Sequence, residues 1–315
     1  MRELKIQVAI ALITWAIWLS FLGLQGLEII KEHVTIALTM LLGSFVAGST
    51  SVGGGAVAFP IFTKVLHIDS ATALIFSLAI QSVGMTAASI MIFLTKIPIC
   101  WRTIRYSIIA GGLGLLTSFF FIRLHIPSAD IKYIFSCFSF LVALGLIWTR
   151  LNYEKIPHTH KPQPGKLALM VSCFIGGVLS GIIGTGIDFI LFTMMIFIWR
   201  YDFKKAIATS VVVMALNALI GFTAILANTH YFEGNVVSYW LAAVPIVVVG
   251  APLGAIACRY IHKHIMMYFL LVLILADILS TVFILGIKPY YLLLVMATIG
   301  FFIIYKRQQG TITSN

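Results

Sequence analysis

Charged residues are scarce in this chain of 315 residues. They make up 10% of the sequence, 61% of the residues are hydrophobic, and the mean hydropathy is +1.06. Soluble domains carry about a quarter charged residues, so these figures exclude a soluble protein and indicate a helical protein that crosses a membrane many times. The net charge of +11 does not indicate nucleic acid as a partner, because Lys and Arg stand singly or in small groups between apolar runs.

The chain also lacks the residue patterns of redox, metal and hydrolytic sites. Its four cysteines show no C-x-x-C spacing, and its H-x-H pairs, at His158 and His262, have no further ligands at metal spacing. There is no G-x-S-G motif and no histidine in the middle of an apolar segment, so a base that could activate a hydroxyl is missing from the membrane interior. We therefore expect no cofactor, no metal site and no enzymatic activity.

A cluster of glycines and hydroxyls is present instead, and it interrupts an apolar region. Gly43 to Pro60 reads GSFVAGSTSVGGGAVAFP, and the apolar arms on either side of Gly48 to Gly55 are each too short to cross a hydrocarbon layer of about 30 Å. The pattern predicts a helical hairpin with its apex inside the membrane. Irregular backbone at that depth is tolerated only against protein or a water-filled cavity.

The interruption occurs twice, because a shift of 133 residues aligns the two halves of the chain without a gap. The shift pairs Gly48 with Gly181 and Asp69 with Asp202, and the second interruption is GTG at Gly184 to Gly186. The module is therefore duplicated. The predicted units are repeat 1 at about 34–149, a polar, Pro-rich linker at 150–166, repeat 2 at about 167–286, and extra helices at 6–24 and 290–305.

The distribution of Lys and Arg predicts how the repeats are oriented. The linker and the loop at Arg200 are basic and are assigned to the inside, whereas Glu28 to His33 and Lys64 to Ser70 are assigned to outside loops. The two hairpins then enter from opposite faces. The predicted fold is an all-α polytopic membrane protein with two inverted repeats, each a re-entrant or broken-helix hairpin plus three transmembrane helices. Both termini are predicted to be cytoplasmic, at the plasma (inner) membrane.

The hairpins offer groups that bind anions. Glycines let the backbone approach a ligand, hydroxyls donate hydrogen bonds, and the arm after each apex begins a helix with free N–H groups. The helix after each hairpin should supply facing groups. Two alternatives stay open: the glycines only allow close helix packing, and the amides only bond between helices. The candidate substrate-binding residues are Ser49, Thr50, Ser51, Gly53, Gly54, Gly55, Ser77, Gln81, Gly184, Thr185, Gly186, Ser210 and Asn217.

Two carboxylates lie within apolar segments and are candidates for proton coupling. Asp188 stands where the first repeat has Gly55, and low dielectric and a nearby anion would favour its protonated form. The alternative is an acceptor that caps the N–H groups of its own arm. Asp277, in the middle of the predicted helix Ile265 to Gly286, is either a proton relay or a structural hydrogen-bonding group.

These motifs resemble the TauE/SafE sulfite-exporter family of multi-pass transporters. The resemblance rests on Gly48, Ser51, Gly53 to Gly55 and Pro60 in the first copy, on Gly181, Gly184 and Gly186 in the second, and on AIATS at Ala206 to Ser210. It implies sulfite or small organosulfur or carboxylate anions as substrates. The chain departs from the family pattern at Ser51, which replaces a glycine, and at Ile187, Asp188 and Thr193 in the second copy.

The sequence therefore predicts a secondary transporter of small anions that works by alternating access around a midplane site between the hairpins. An anion channel or a uniporter is the alternative, and an intramembrane enzyme is a weaker one. The expected partners are a small anion, protons as the coupling ion and the lipid bilayer. A homodimer is one option that the sequence leaves open.

Overall fold

The computed structural model describes residues 2–23, 25–50, 55–152, 165–261 and 263–286. Within these ranges the chain is helical and has no β-strand, and seven of the helices are long and apolar enough to cross a membrane. The predicted all-α, polytopic class is thereby confirmed. The predicted helix at 290–305 and most of the linker lie outside the described residues. The α-helices are α1 (Arg2–Leu22), α2 (Gln25–Glu32), α3 (Val34–Ser49), α4 (Gly55–Pro60), α5 (Ser70–Leu94), α6 (Trp101–Thr117), α7 (Ser128–Asn152), α8 (Lys166–Ile183), α9 (Ile187–Phe197), α10 (Phe203–Leu226), α11 (Asn235–Tyr260) and α12 (Lys263–Leu285).

The long central helix of each repeat begins in the same way. The Asp69 side chain accepts a hydrogen bond from the Ala71 N–H at 2.8 Å at the start of α5. The Asp202 side chain accepts from the N–H groups of Lys204 at 3.0 Å and Lys205 at 3.2 Å at the start of α10. An N-terminal carboxylate satisfies amide groups that the helix itself cannot. The repeated aspartate is therefore a repeated helix start.

The two halves pack against each other reciprocally. Helix α3 packs on α11, while α8 packs on α6, and α5 and α7 pack on their counterparts α10 and α12. A Cβ on Gly48 would lie 1.8 Å from the Ala251 carbonyl oxygen, and one on Gly181 would lie 2.0 Å from Ser118 Oγ. The same 133-residue shift relates Ser118 to Ala251, so these are equivalent close contacts. Their opposite orientation in the membrane stays a prediction.

The segment Glu28 to His33 differs from its prediction as a loop. Most of it belongs to the short helix α2, which is bent by 83° from α3. A Cβ on Gly26 would lie 2.6 Å from the Trp18 ring, so α2 packs closely on α1. Charged residues alternate with Leu27, Ile29 and Ile30, a pattern that suits an interfacial helix better than a solvated loop.

The prediction of a loop from Lys64 to Ser70 is also wrong for its first two residues. The chain continues past Pro60 as a π-helix over Ile61–Val65, and the Leu66 N–H donates to the Ile61 carbonyl at 2.9 Å. Pro60 has no N–H to donate to the preceding turn, which favours this change in winding. Lys64 is therefore part of the buried second arm of the first hairpin. Helix α8, which precedes the second interruption, has 18 residues and is long and apolar enough for a span.

Candidate functional site

The predicted second hairpin corresponds to α8 and α9, and the chain breaks between these helices at Gly184 to Gly186. Gly184 ends α8 in the left-handed region, with φ of +83°, and Gly186 has φ of +149°. A Cβ on Gly184 would also lie 2.6 Å from the Ser77 Cβ. Both the backbone conformation and the close approach of α5 therefore require glycine at position 184.

Two of the predicted side chains on α5 meet this break. The Gln81 amide Nε2 donates to the Gly184 carbonyl oxygen at 2.8 Å and to Ser77 Oγ at 2.6 Å, and Ser77 Oγ donates to the same carbonyl at 3.2 Å. These bonds fix the orientation of the amide, because its oxygen would be repelled by the carbonyl. Gln81 Oε1 is buried and has no hydrogen-bond partner among the described residues. The helix after the first hairpin thus contacts the apex of the second.

Asn217 on α10 is buried without a hydrogen bond. Its exposed fraction is 2%, and neither Oδ1 nor Nδ2 has a partner in the part of the chain that the structure describes. A Cβ on Gly111 would lie 3.4 Å from Asn217 Oδ1 and 2.2 Å from Ile187 Cδ1, so the amide lies near the first residue of α9. Ser210, also on α10, is buried and donates to the Ile207 carbonyl of its own helix at 2.8 Å. A buried amide without partners costs free energy, and so needs an explanation.

The first apex is described only at its edges. The hydroxyls of Ser49 and Thr50 are buried at the end of α3 and donate to the Val46 carbonyl at 3.2 Å and 2.8 Å. Gly55 is the first residue of α4. The remaining candidates at this apex, Ser51, Gly53 and Gly54, lie outside the described residues.

A small cavity separates the first arm of this hairpin from Gln81. Its volume is about 10 Å³, and it lies between α3, α5 and α11, with Ser44, Gln81 and Val247 among its lining residues. A cavity must reach about 10–15 Å³ to hold a single water molecule. The space beside Gln81 is therefore too small for a polyatomic anion in this conformation.

Asp188, on the first turn of α9, is completely buried and is held within its own hairpin. Its carboxylate accepts hydrogen bonds from the Gly186 N–H at 3.0 Å and from Thr185 Oγ1 at 3.2 and 3.3 Å. Ser180 Oγ accepts from the next N–H, that of Ile187, at 3.0 Å. This is the capping arrangement that the sequence left open as an alternative. Together the two side chains satisfy the N–H groups of Gly186 and Ile187, which would otherwise be free for an anion.

Asp277 on α12 is paired with a cation that the sequence did not identify. Lys64 Nζ lies 2.5 Å from Asp277 Oδ1, and both residues are buried. The ammonium also lies within hydrogen-bond distance of Thr281 Oγ1 at 2.6 Å, the Asp277 carbonyl oxygen and Ser280 Oγ at 3.1 Å, and Ser136 Oγ at 3.4 Å. Two features of the sequence could have indicated this pair: Asp277 is a lone carboxylate in the middle of a helix and needs a partner, and Lys64 stands at the end of an apolar arm.

The chain was compared with protein-family models, curated proteins and solved structures. No curated protein and no solved structure matched it. The family model described as Sulfite exporter TauE/SafE matches residues 36–280, a range that includes both hairpins, both buried amides and both buried carboxylates. This family consists of membrane transporters and not of enzymes. Because the match covers most of the chain and confirms the resemblance of its motifs, the chain belongs to the sulfite exporter TauE/SafE family of integral membrane transporters.

Proposed function

We propose that the chain carries sulfite, or a small organosulfur or carboxylate anion, across the plasma membrane by alternating access around a site between the two hairpins. Family membership implies a transporter or exporter of sulfur anions. The observation that carries the finer proposal is a pair of buried amides with polar atoms that have no partner among the described residues: Gln81, which is bonded to Gly184, and Asn217, which lies near Ile187 at the start of α9.

The two amides offer complementary groups to a ligand. Among the described residues, Asn217 Nδ2 is a donor without a partner, which suits an anionic oxygen, whereas Gln81 Oε1 and Asn217 Oδ1 are acceptors without partners; both N–H groups of Gln81 are engaged. An acceptor suits an anion that carries one O–H group. Buried polar atoms left unpaired in one conformation are best explained if they bind a polar ligand in another. A small, singly protonated anion therefore fits these groups better than a fully ionised one.

The small size of the cavity beside Gln81 favours alternating access over an open pore. The cavity beside Gln81 has a volume of about 10 Å³, which admits one water molecule at most. From the side of this cavity, an anion can reach the amide only if α3, α5 or α11 moves. Movement of one repeat against the other is the mechanism expected for transporters built from broken helices.

Proton coupling through Asp188 is part of the proposal. Within the described residues, Asp188 accepts hydrogen bonds only from neutral donors and has no ion pair. A buried carboxyl of this kind can take up a proton without leaving a cation unpaired. Asp277 cannot, because the loss of its charge would strand the Lys64 ammonium.

The proposal is tested by anion uptake into proteoliposomes that contain the full-length protein. Labelled sulfite, sulfoacetate and a simple carboxylate are compared, each with and without an imposed pH gradient. We expect saturable uptake of at least one anion, driven by the pH gradient. Gln81→Leu should lower this uptake about tenfold or more, because one lost hydrogen bond of about 1.4 kcal/mol corresponds to a factor of ten.

Ser89→Ala supplies the matched control. Ser89 is a buried residue on α5, like Gln81, but it donates only to the Met85 carbonyl of its own helix. Its substitution should leave uptake within about twofold of the unmodified protein. Absence of flux for every small anion would reject the proposal. Flux that follows only the gradient of the anion itself would favour the channel or the uniporter.

A further inference from the structure

The group around Lys64 has the form of a cation-binding cage. Five oxygen atoms lie 2.5–3.4 Å from Nζ, and they come from Ser136 on α7 and from Asp277, Ser280 and Thr281 on α12. An ammonium has three N–H groups and cannot form five linear hydrogen bonds. The carboxylate and backbone carbonyl oxygens in this group are also of the kinds that hard cations take as ligands.

The hydroxyl hydrogens around the ammonium already have acceptors. Ser280 Oγ and Thr281 Oγ1 donate to the Asp277 carbonyl at 2.7 Å and 2.9 Å, and Ser136 Oγ donates to Asp277 Oδ2 at 2.9 Å. Ser136 Oγ and Thr281 Oγ1 are also in mutual contact. With their hydrogens directed at Asp277, the hydroxyls turn lone pairs towards Lys64. The oxygen atoms of the cage are thus oriented to bind a positive charge even without the lysine.

Lys64 reaches this cage from a different element. It lies on the π-helix that ends the first hairpin, whereas four of the five oxygens come from one turn of α12. The Lys132 ammonium on α7 fastens the same arm, since it donates to the Thr63 carbonyl at 2.8 Å. Cage and ammonium are therefore separable parts, and the charge can be removed without deleting any oxygen ligand.

We propose that α7 and α12 form a binding site for a monovalent cation, and that the chain fills it permanently with the Lys64 ammonium. Removal of the ammonium should convert the cage into a site for Na⁺ or K⁺. A tethered cation cannot leave, so this position keeps its positive charge throughout the transport cycle. Transport then requires no free Na⁺ at this site. The inference does not depend on the identity of the transported anion.

The test uses the purified full-length protein and its thermal unfolding midpoint, Tm, in NaCl, KCl or choline chloride at equal ionic strength. In the unmodified protein we expect the same Tm in all three salts. In Lys64→Ala, NaCl or KCl should raise Tm saturably by about 5 °C over choline chloride, the size expected for a ligand at about 100 times its Kd.

Two further variants identify the source of such a shift. Lys64→Met fills the space with an apolar side chain, and Lys64→Ala combined with Asp277→Asn removes the charged ligand, so neither should respond to Na⁺ or K⁺. If Lys64→Ala is folded only when it is purified in NaCl or KCl, the proposal is also supported. If its Tm is equal in all three salts, or if it is unfolded in all three, the proposal is wrong.

Discussion

The two buried carboxylates of this transporter are stabilised in opposite ways. Asp277 on α12 is neutralised by Lys64, a residue 213 positions away at the end of the first hairpin. No cation among the described residues pairs with Asp188, whose carboxylate accepts hydrogen bonds from the Thr185 hydroxyl and the Gly186 N–H of its own turn. The Asp277 carboxylate therefore links elements that are far apart in the chain, whereas the Asp188 carboxylate forms hydrogen bonds only near the start of its own helix.

This difference separates the two hairpins in structure. The first hairpin is anchored to α7 and α12 through a charge that must stay paired. Among the described residues, the second hairpin makes few polar contacts with other elements, namely the bonds of Gln81 and Ser77 to Gly184 and the contact of Cys173 Sγ with Ser107 Oγ at 3.0 Å, and no ion pair. We infer that the second hairpin is the one whose carboxyl can change protonation state without disturbing the rest of the bundle.

The largest effect is expected where the ion pair is broken on one side only. Asp277→Leu leaves the Lys64 ammonium buried and unpaired, which should lower the free energy of unfolding by about 3–5 kcal/mol. Lys64→Met combined with Asp277→Leu leaves no charge behind and should recover most of that loss. Denaturant unfolding of the purified protein in detergent measures both. If the double variant is as unstable as the single one, the carboxylate has a role beyond pairing.

Much of the fold was predictable because the apolar pattern is local. The end of α3 at Ser49 and the break at Gly184 to Gly186 coincide with clusters of glycines and hydroxyls, and Asp69 and Asp202 mark the helix starts that follow. Long apolar runs can satisfy their backbone in a membrane only as helices, so the all-α class follows from composition. The 133-residue repeat was visible because glycines occur at equivalent positions in both halves, and glycines at close helix contacts, such as Gly48 and Gly181, leave no room for a side chain.

The site was less predictable because its contacts join residues far apart in the chain. Lys64 stands beside a short polar segment, and a lysine there normally indicates a solvated loop, so its burial depends on Asp277 in the other repeat. Gln81 was identified as a polar group in mid-membrane, but spacing could not tell which apex it contacts. Only the packing of α5 against the second break places its amide on Gly184.

A smaller effect is expected when the locally held carboxylate is replaced. Asp188→Asn keeps an oxygen that can accept from Thr185 and Gly186, and it leaves no buried charge unpaired, so the free energy of unfolding should fall by about 1 kcal/mol. The same denaturant titration measures this loss against that of Asp277→Leu. A loss as large as 3 kcal/mol would mean that Asp188 is paired with a charge after all, and the contrast between the two carboxylates would fail.

Transport should respond to Asp188→Asn more strongly than stability does. If Asp188 carries the coupling proton, the variant still binds the anion, but its uptake in proteoliposomes no longer increases with the pH gradient. Asp202→Asn is the control, because Asp202 also caps a helix but is exposed. An unchanged pH dependence in Asp188→Asn would remove the proton-coupling role and leave capping as its function.

A stability effect no larger than that of Asp188→Asn is expected at Asp69, an exposed aspartate that caps the start of α5. Asp69 accepts from the Ser128 hydroxyl at 2.7 Å and the Ala71 N–H at 2.8 Å. Partial burial acts to raise its pKa, but these hydrogen bonds outweigh it and leave the pKa below the ordinary value of 3.8. Asp69→Ala should cost about 1 kcal/mol near neutral pH.

The pH dependence of that cost distinguishes a charged cap from a merely polar one. Because the pKa is lower in the folded state than in the unfolded state, the carboxylate stabilises the fold fully above the unfolded pKa of about 4. Its contribution is lost as the pH falls through the lower, folded pKa. The difference in Tm between the unmodified protein and Asp69→Ala should therefore shrink when the pH is lowered from about 6 to about 3. A difference that stays constant would show that the Asp69 carboxylate stabilises α5 through hydrogen-bond geometry alone, without its charge.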